Sequence, residues 1–262
     1  MMSRNRTAKR LKGLYLALIL LFLYLPIMVM ICLSFNESIS RGAWTGFTLD
    51  WYKKLFQDEA IIEALKVTLS VAVSATIVST ILGTLAAIGM HAMSSGWANV
   101  LTNISYLPMT MPDIVTGVSL MLMFVFLKIP LGKTTMLLAH IAFDTPYVLF
   151  AVLPRLRQMN PNMYEAALDL GCKPLGAICK VIIPEALPGI STGALLAFTM
   201  SLDDFVISYF TSNTDQNLSM IVYSAARKGI EPTMYALSTL MFLAILILLL
   251  IINRKSKLEE LS

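Results

Sequence analysis

Long uncharged apolar runs alternate with short polar connections along this chain. Gly13 to Asn36 holds no charged side chain, and residues 67–112 contain no Asp, Glu, Lys or Arg. A helix crosses a bilayer core with about 20 apolar residues. The first run is therefore one span, near 14–34, and the second is too long for one. The polar stretch His91-Ala-Met-Ser-Ser-Gly-Trp97 divides it, which predicts spans near 65–90 and 100–127. Later apolar segments predict spans near 134–153, 187–209 and 232–252. The pattern predicts an all-α integral membrane protein of six transmembrane helices. A basic N-terminus (1–13) precedes the membrane domain (14–252), and a short tail (253–262) follows it.

Composition agrees. The 262 residues are 57% hydrophobic and 14% charged, with a mean hydropathy of +0.74, whereas a soluble domain carries about a quarter charged residues. Three cysteines cannot make a paired disulfide framework, so Cys32, Cys172 and Cys179 read as reduced structural thiols. Arg4, Arg6, Lys9, Arg10 and Lys12 precede the first span with no acid among them. The apolar run that follows outlasts the roughly 7–15 residues of a signal-peptide core, so it reads as a retained span with its N-terminus in the cytoplasm. Six spans bring the C-terminus to the same side. Twelve of the twenty Lys and Arg then fall inside and eight outside, the bias expected of cytoplasmic loops. On the outer side, Trp44, Phe47, Trp51 and Tyr52 accompany Lys53 and Lys54, as in a segment lying at the membrane interface. No internal repeat stands out, which gives an inverted-repeat carrier no support.

The longest cytoplasmic connection, Pro154 to Glu185, has local structure of its own. Asn160 can cap a helix whose first position is Pro161, running through Tyr164, Glu165, Ala166, Ala167, Leu168 and Leu170. Gly171 can end it in the left-handed conformation. Pro174 opens a second short helix, which Pro184 is expected to close. Two capped helices in a connection suit a surface pressed against another protein. Gly132-Lys133-Thr134 resembles the end of a phosphate-binding loop, but Leu127 stands where that motif needs glycine. Any ATP-driven work must use a partner.

Asp113, Asp144, Asp203 and Asp204 fall inside the predicted spans, with no Lys or Arg at mid-membrane. Each costs about 2.5–3.5 kcal/mol at a helix centre, and such residues mark pathways. Four acids without a base suit a passage for cations, or groups held protonated. Asp113 follows Pro112 and can also cap a broken half-helix; Asp144 precedes Thr145-Pro146 and can also serve a kink. Asp203 and Asp204, about 100° apart on a helix, allow one to line the pore while the other meets a partner. Phe205 and Tyr209 lie four apart on one face, and aromatic faces suit ammonium groups. The same stripe also suits ordinary packing.

Glu165-Ala166-Ala167, Gly171 and Ile182-Ile183-Pro184 together match the EAA loop of ABC importer permeases. The resemblance extends over Ser34-Phe35-Asn36, FTLDWY at 47–52, Pro112-Asp113-Ile114 and PGISTGALLAF at 188–198. It implies a type I importer permease (MetI-like) fold in a bacterial inner membrane. It implies a loop (154–185) that docks in a groove of a cytoplasmic ATPase, with Glu165 offering charge, Ala166 and Ala167 the small face, and Gly171 the turn. It also implies a second homologous permease, two ATPase subunits carrying ATP and Mg, and an extracytoplasmic binding protein. This chain would bind no cofactor and catalyse no reaction.

The Ser201-Leu202-Asp203-Asp204-Phe205 stretch resembles most the spermidine/putrescine branch of that family. Permeases for iron, thiamine, sulfate, phosphonate or another small organic solute share the scaffold and remain alternatives. A secondary carrier using the acids as proton relays leaves the EAA loop unexplained. An intramembrane aspartyl protease lacks its Tyr-Asp and Gly-x-Gly-Asp motifs, since Asp113 follows Pro112 and Asp203 follows Leu202.

Overall fold

The computed structural model describes residues 2–39, 43–160, 162–229 and 231–259, with side chains described for 12–39, 43–160, 162–229, 231–247 and 249–250. Arg41 and Pro161, and the side chains of Arg4, Arg6, Lys9, Arg10, Arg254, Lys255 and Lys257, lie outside that description. Among the described residues the architecture is helical, with one isolated antiparallel bridge, Asn36 to Phe47. The chain forms two compact units, residues 1–59 with 224–262, and residues 60–223.

In the first unit, α1 (Met2–Ser34) and α12 (Pro232–Glu259) pack together, and α2 (Asp50–Gln57) packs on α12. The turn after α1 is tied by its own sequence. Asn36, almost fully buried, donates from Nδ2 to the Ala43 carbonyl and accepts the Thr45 N–H on Oδ1. Trp51 Nε1 donates to the Asn36 carbonyl at 2.7 Å, and the Ser34 and Tyr52 hydroxyls share a 2.7 Å bond. Phe35 stacks on Phe47. Trp51 and Tyr52, read from sequence as interfacial anchors, thus also fasten the end of α1.

The second unit carries α3 (Glu59–Ala92, from Ala60 onward), α4 (Ser95–Thr110), α5 (Asp113–Phe126), α6 (Lys133–Gln158), α7 (Asn162–Asp169), α8 (Pro174–Ala177), α9 (Ile183–Asp203), α10 (Val206–Thr211) and the start of α11 (Leu218–Lys228). Its core is the seam of α6 and α9, joined by α3. Ala186, Gly189, Gly193 and Ala197 line the buried face of α9, and their small side chains let the helix backbones approach closely, as is common inside membranes. Gly83 of α3 presses on the same place, with its missing Cβ 2.9 Å from the Thr145 carbonyl oxygen.

Among the described residues, four helices are long and apolar enough to cross a membrane: residues 12–34, 59–92, 133–158 and 174–203. The predicted span at 100–127 is instead a pair, α4 and α5, bent by 103°. Met111 is extended because a residue before proline is excluded from the helical region, and Pro112 then opens α5. The predicted span at 187–209 breaks as well, at Asp204, whose ψ of 124° ends α9 before α10 starts. The sixth predicted segment lies within α12, a single helix over Pro232–Glu259 whose sequence carries no charged residue from 232 to 252. Among the described residues, the six uninterrupted helices expected from hydropathy are therefore four long apolar ones, one bent pair, and α12, which runs unbroken through the sixth predicted segment.

Candidate functional site

The break between α9 and α10 places the acids differently from an unbroken helix. Asp203, the last residue of α9, is exposed. Asp204 turns inward and caps α10, accepting the Ile207 N–H on Oδ1 at 3.2 Å and the Ser208 N–H on Oδ2 at 2.7 Å. The next two orphan donors of the short helix are satisfied by one carboxylate. The neighbours therefore do different work, one presented outward and one holding the backbone.

Behind the break lies a polar cluster that sequence reading passed over. His140 of α6 is buried, its Nδ1 2.6 Å from Ser201 Oγ and its Nε2 2.9 Å from Ser208 Oγ and 3.4 Å from Asp204 Oδ2. Asn217 Nδ2 donates to both Ser208 Oγ and the Asp204 carbonyl, each at 2.8 Å. A carboxylate only accepts, so the ring faces it with Nε2–H, while Nδ1 and the Ser201 hydroxyl share one hydrogen bond. The signal was available: a histidine in an apolar run four residues before Asp144, on the same helical face. The set of Ser, His and Asp is not a hydrolytic triad. Ser201 and Asp204 do stand on opposite nitrogens of the ring, as nucleophile and carboxylate stand in a triad, but both serines are buried, with no access for a substrate.

Asp144, one turn from His140, is fully buried, and neither carboxylate oxygen has a hydrogen-bond partner. Asp113 is exposed at the first position of α5, with Pro112 rather than Asp113 at the cap, so it meets the positive end of the helix dipole. Asp113 and Asp144 both lie within electrostatic reach of Tyr147, and Asp204 within reach of Asp144 and of Asp203. Asp144, Asp203 and Asp204, from two predicted spans, thus lie near one another, and Asp113, from a third, shares Tyr147 with Asp144. Among the described residues no Lys or Arg pairs with any of them; the pair they make is Asp204 with His140. At the exposed edge of these acids, Phe205 stacks on Tyr223 with ring centroids 4.0 Å apart, and Tyr209 tilts against Phe205 at 5.5 Å. Tyr223 joins this group from α11, so far along the chain that no sequence spacing could have pointed to it.

The loop at the other end of α6 has the expected helix and a different exit. The Asn160 side chain accepts the Asn162 N–H at 3.0 Å at the start of α7. Gly171 has a φ of +87°, the Cys172 N–H reaches the Ala167 carbonyl and the Gly171 N–H the Leu168 carbonyl, the pair of bonds of a Schellman ending. Glu165, Ala166 and Gly171 are exposed, Ala167 is buried, and Leu170 and Leu175 present 88% and 76% of their surface. That is an acid, a flat small-residue step and two bare leucines on one short unit. Pro184 does not close the second helix. A π turn, Ile178–Ile182, joins α8 to α9, and its wide register accommodates the missing Pro184 N–H in the first turn of α9.

Residues 79–254 match the family described as the binding-protein-dependent transport system inner membrane component. The putrescine transport system permease protein PotI of Escherichia coli K12 is 38% identical over 236 residues, covering 86% of this chain and 83% of PotI. The spermidine/putrescine transport system permease protein PotC of Haemophilus influenzae is 35% identical over 250 residues, covering 94% of this chain and 97% of that one. Among solved structures, a bacterial ABC transporter involved in import of the acidic polysaccharide alginate superposes with a TM-score of 0.76 over 97% of this chain and 96% of its own, at 17% identity. The fold is that of a type I ABC importer permease, a multi-pass membrane protein. By matched sequence and by fold, this chain belongs to the family of binding-protein-dependent transport system inner membrane components.

Proposed function

We propose that this chain is the permease subunit of an ATP-driven polyamine importer, with Asp203 and Asp113 as transient sites for the ammonium groups of spermidine or putrescine. The observation that carries the reading is the exposed Asp203 beside the Phe205–Tyr209–Tyr223 cluster. A carboxylate next to aromatic faces suits an ammonium and its methylene chain, and a set of acids with no paired Lys or Arg disfavours an anionic cargo. Similarity to PotI and PotC points the same way. Asp204 acts on the pathway through the backbone it caps. Asp144 joins only when α6 and α9 separate. Weak, sequential sites fit transfer, because tight binding would stop release.

The rest of the machine is supplied by partners. A second homologous permease completes the pathway, and an extracytoplasmic polyamine-binding protein delivers the substrate. Two ATPase subunits, which carry ATP and Mg, engage Glu165, Ala166, Ala167 and Gly171 on the side of both termini, the cytoplasm. The test is ATP hydrolysis by the co-expressed complex in lipid, with binding protein and a panel of solutes. Stimulation by spermidine or putrescine is expected. Stimulation by an iron chelate, thiamine or a phosphonate instead keeps the importer and removes polyamines.

A further inference from the structure

We propose that His140 is a positioning residue for cation transfer, a strut that holds the break between α9 and α10 in the shape that presents Asp203. The inference rests on the polyamine reading of Asp203. Three contacts assign the role. Through Ser201 the ring grips the last turn of α9, and through Ser208 the first turn of α10; the same Nε2 faces Asp204, one of the two residues between them. One rigid side chain from α6 therefore spans a point where the main-chain ladder of another element is interrupted. A six-residue helix cannot hold itself in place by its own hydrogen bonds, so its bearing is set from outside.

The far end of α10 is fixed by the same helix. Thr135 Oγ1 of α6 donates to the Thr211 carbonyl at 2.8 Å, and the Asp215 carboxylate, four residues later, accepts the Lys133 N–H at 2.9 Å. Thr135 and His140 are thus two fasteners from α6, one for each end of α10. They differ in what lies beyond them. The Thr135 end leads into a polar connection, whereas the His140 end carries Asp203 and Phe205. Histidine suits the second position because its two nitrogens, on opposite edges of one flat ring, each hold a hydrogen-bond partner at once. An aliphatic residue there would leave the Ser201 and Ser208 hydroxyls buried with a partner missing.

The test uses the whole complex in lipid with His140→Phe, which keeps a flat ring without nitrogens, and His140→Gln, which restores one donor and one acceptor. Two readouts are taken: the KM for putrescine and spermidine in stimulated ATP hydrolysis, and amide hydrogen exchange over residues 204–211. The Phe variant is expected to assemble and keep its basal hydrolysis, with KM raised about tenfold and exchange about tenfold faster, and the Gln variant to recover most of both. Unchanged exchange in His140→Phe overturns the strut. Faster exchange with unchanged KM overturns its service to the substrate, as does a Gln variant no better than Phe. If the unmodified complex answers to no polyamine, the reading of Asp203 has failed, and the exchange comparison alone decides the strut.

Discussion

Gly193 of α9 lies so close to Val148 of α6 that a Cβ on the glycine would sit 3.0 Å from the valine Cα and 3.1 Å from its Cγ1. One turn earlier Gly189 stands 3.0 Å, by the same construction, from the Ala151 carbonyl oxygen. Both neighbours are helix backbone and cannot step aside. Gly193→Leu is expected to destabilise the second unit by about 1–3 kcal/mol through overpacking, and Gly193→Ala by less. Thermal unfolding of the purified complex in detergent checks this, because Ser191→Ala on the exposed face of the same helix should leave the midpoint unmoved.

Asp203 and Asp204 should separate in a mutational test although they are adjacent. Asp203→Asn removes an outward charge and touches no cap, so assembly is retained and the KM for polyamine rises about tenfold, the scale of one screened charge contact with a cation. Asp204→Ala removes the acceptor of two backbone donors and should cost about 1–2 kcal/mol of stability, visible as a lower unfolding midpoint before any kinetic measurement. Unchanged polyamine uptake by Asp203→Asn at normal expression would take that residue out of the pathway.

That contrast marks where the sequence was legible. Helical class, the positions of the long apolar segments and the EAA helix with its glycine stop follow from periodicity, charge spacing and capping residues, all local signals. The interruptions are less visible, for differing reasons. Pro112 announces one, and the expectation of a half-helix cap at Asp113 came close to it. Nothing local announces the break at Asp204, where Asp, Phe and Val are all tolerated in a helix; it is held by His140, sixty-four positions earlier, and by Asn217. Pro184 misled in the other direction, since a proline in a first turn is compatible with a helix that continues through a π turn. Tyr223 and His140 become site residues only through tertiary contact, and apolar runs conceal a single histidine.

The turn between α1 and α2 gives a prediction for the first unit. Asn36 uses both ends of its side-chain amide on the backbone of residues 43–45, and its own carbonyl receives Trp51. Asn36→Leu keeps the branched shape and removes both side-chain bonds to the Ala43 carbonyl and the Thr45 N–H, at a cost of about 1–2 kcal/mol. Limited proteolysis between residues 37 and 49 should accelerate in that variant. Asn36→Asp keeps the acceptor and should fall between it and the parent.

The EAA loop supplies the last prediction. Gly171 sits at φ +87° with open space around the position of its absent side chain, so a substitution there meets no clash and acts through backbone conformation alone. Gly171→Ala should therefore cost about 1 kcal/mol locally, loosening the end of α7 while leaving the bundle intact. Gly171→Asp adds a negative charge beside the exposed ridge of Glu165 and Asp169 and should weaken association with the ATPase more than Ala does. Glu165→Ala changes no backbone preference, so its effect isolates the charge. Co-purification of the ATPase with each variant, at matched membrane expression, orders the three. A ranking of Asp worst, Ala intermediate and Gly171 intact assigns the loop to docking. ATPase capture and uptake both undiminished in Gly171→Asp would take the loop out of the coupling path.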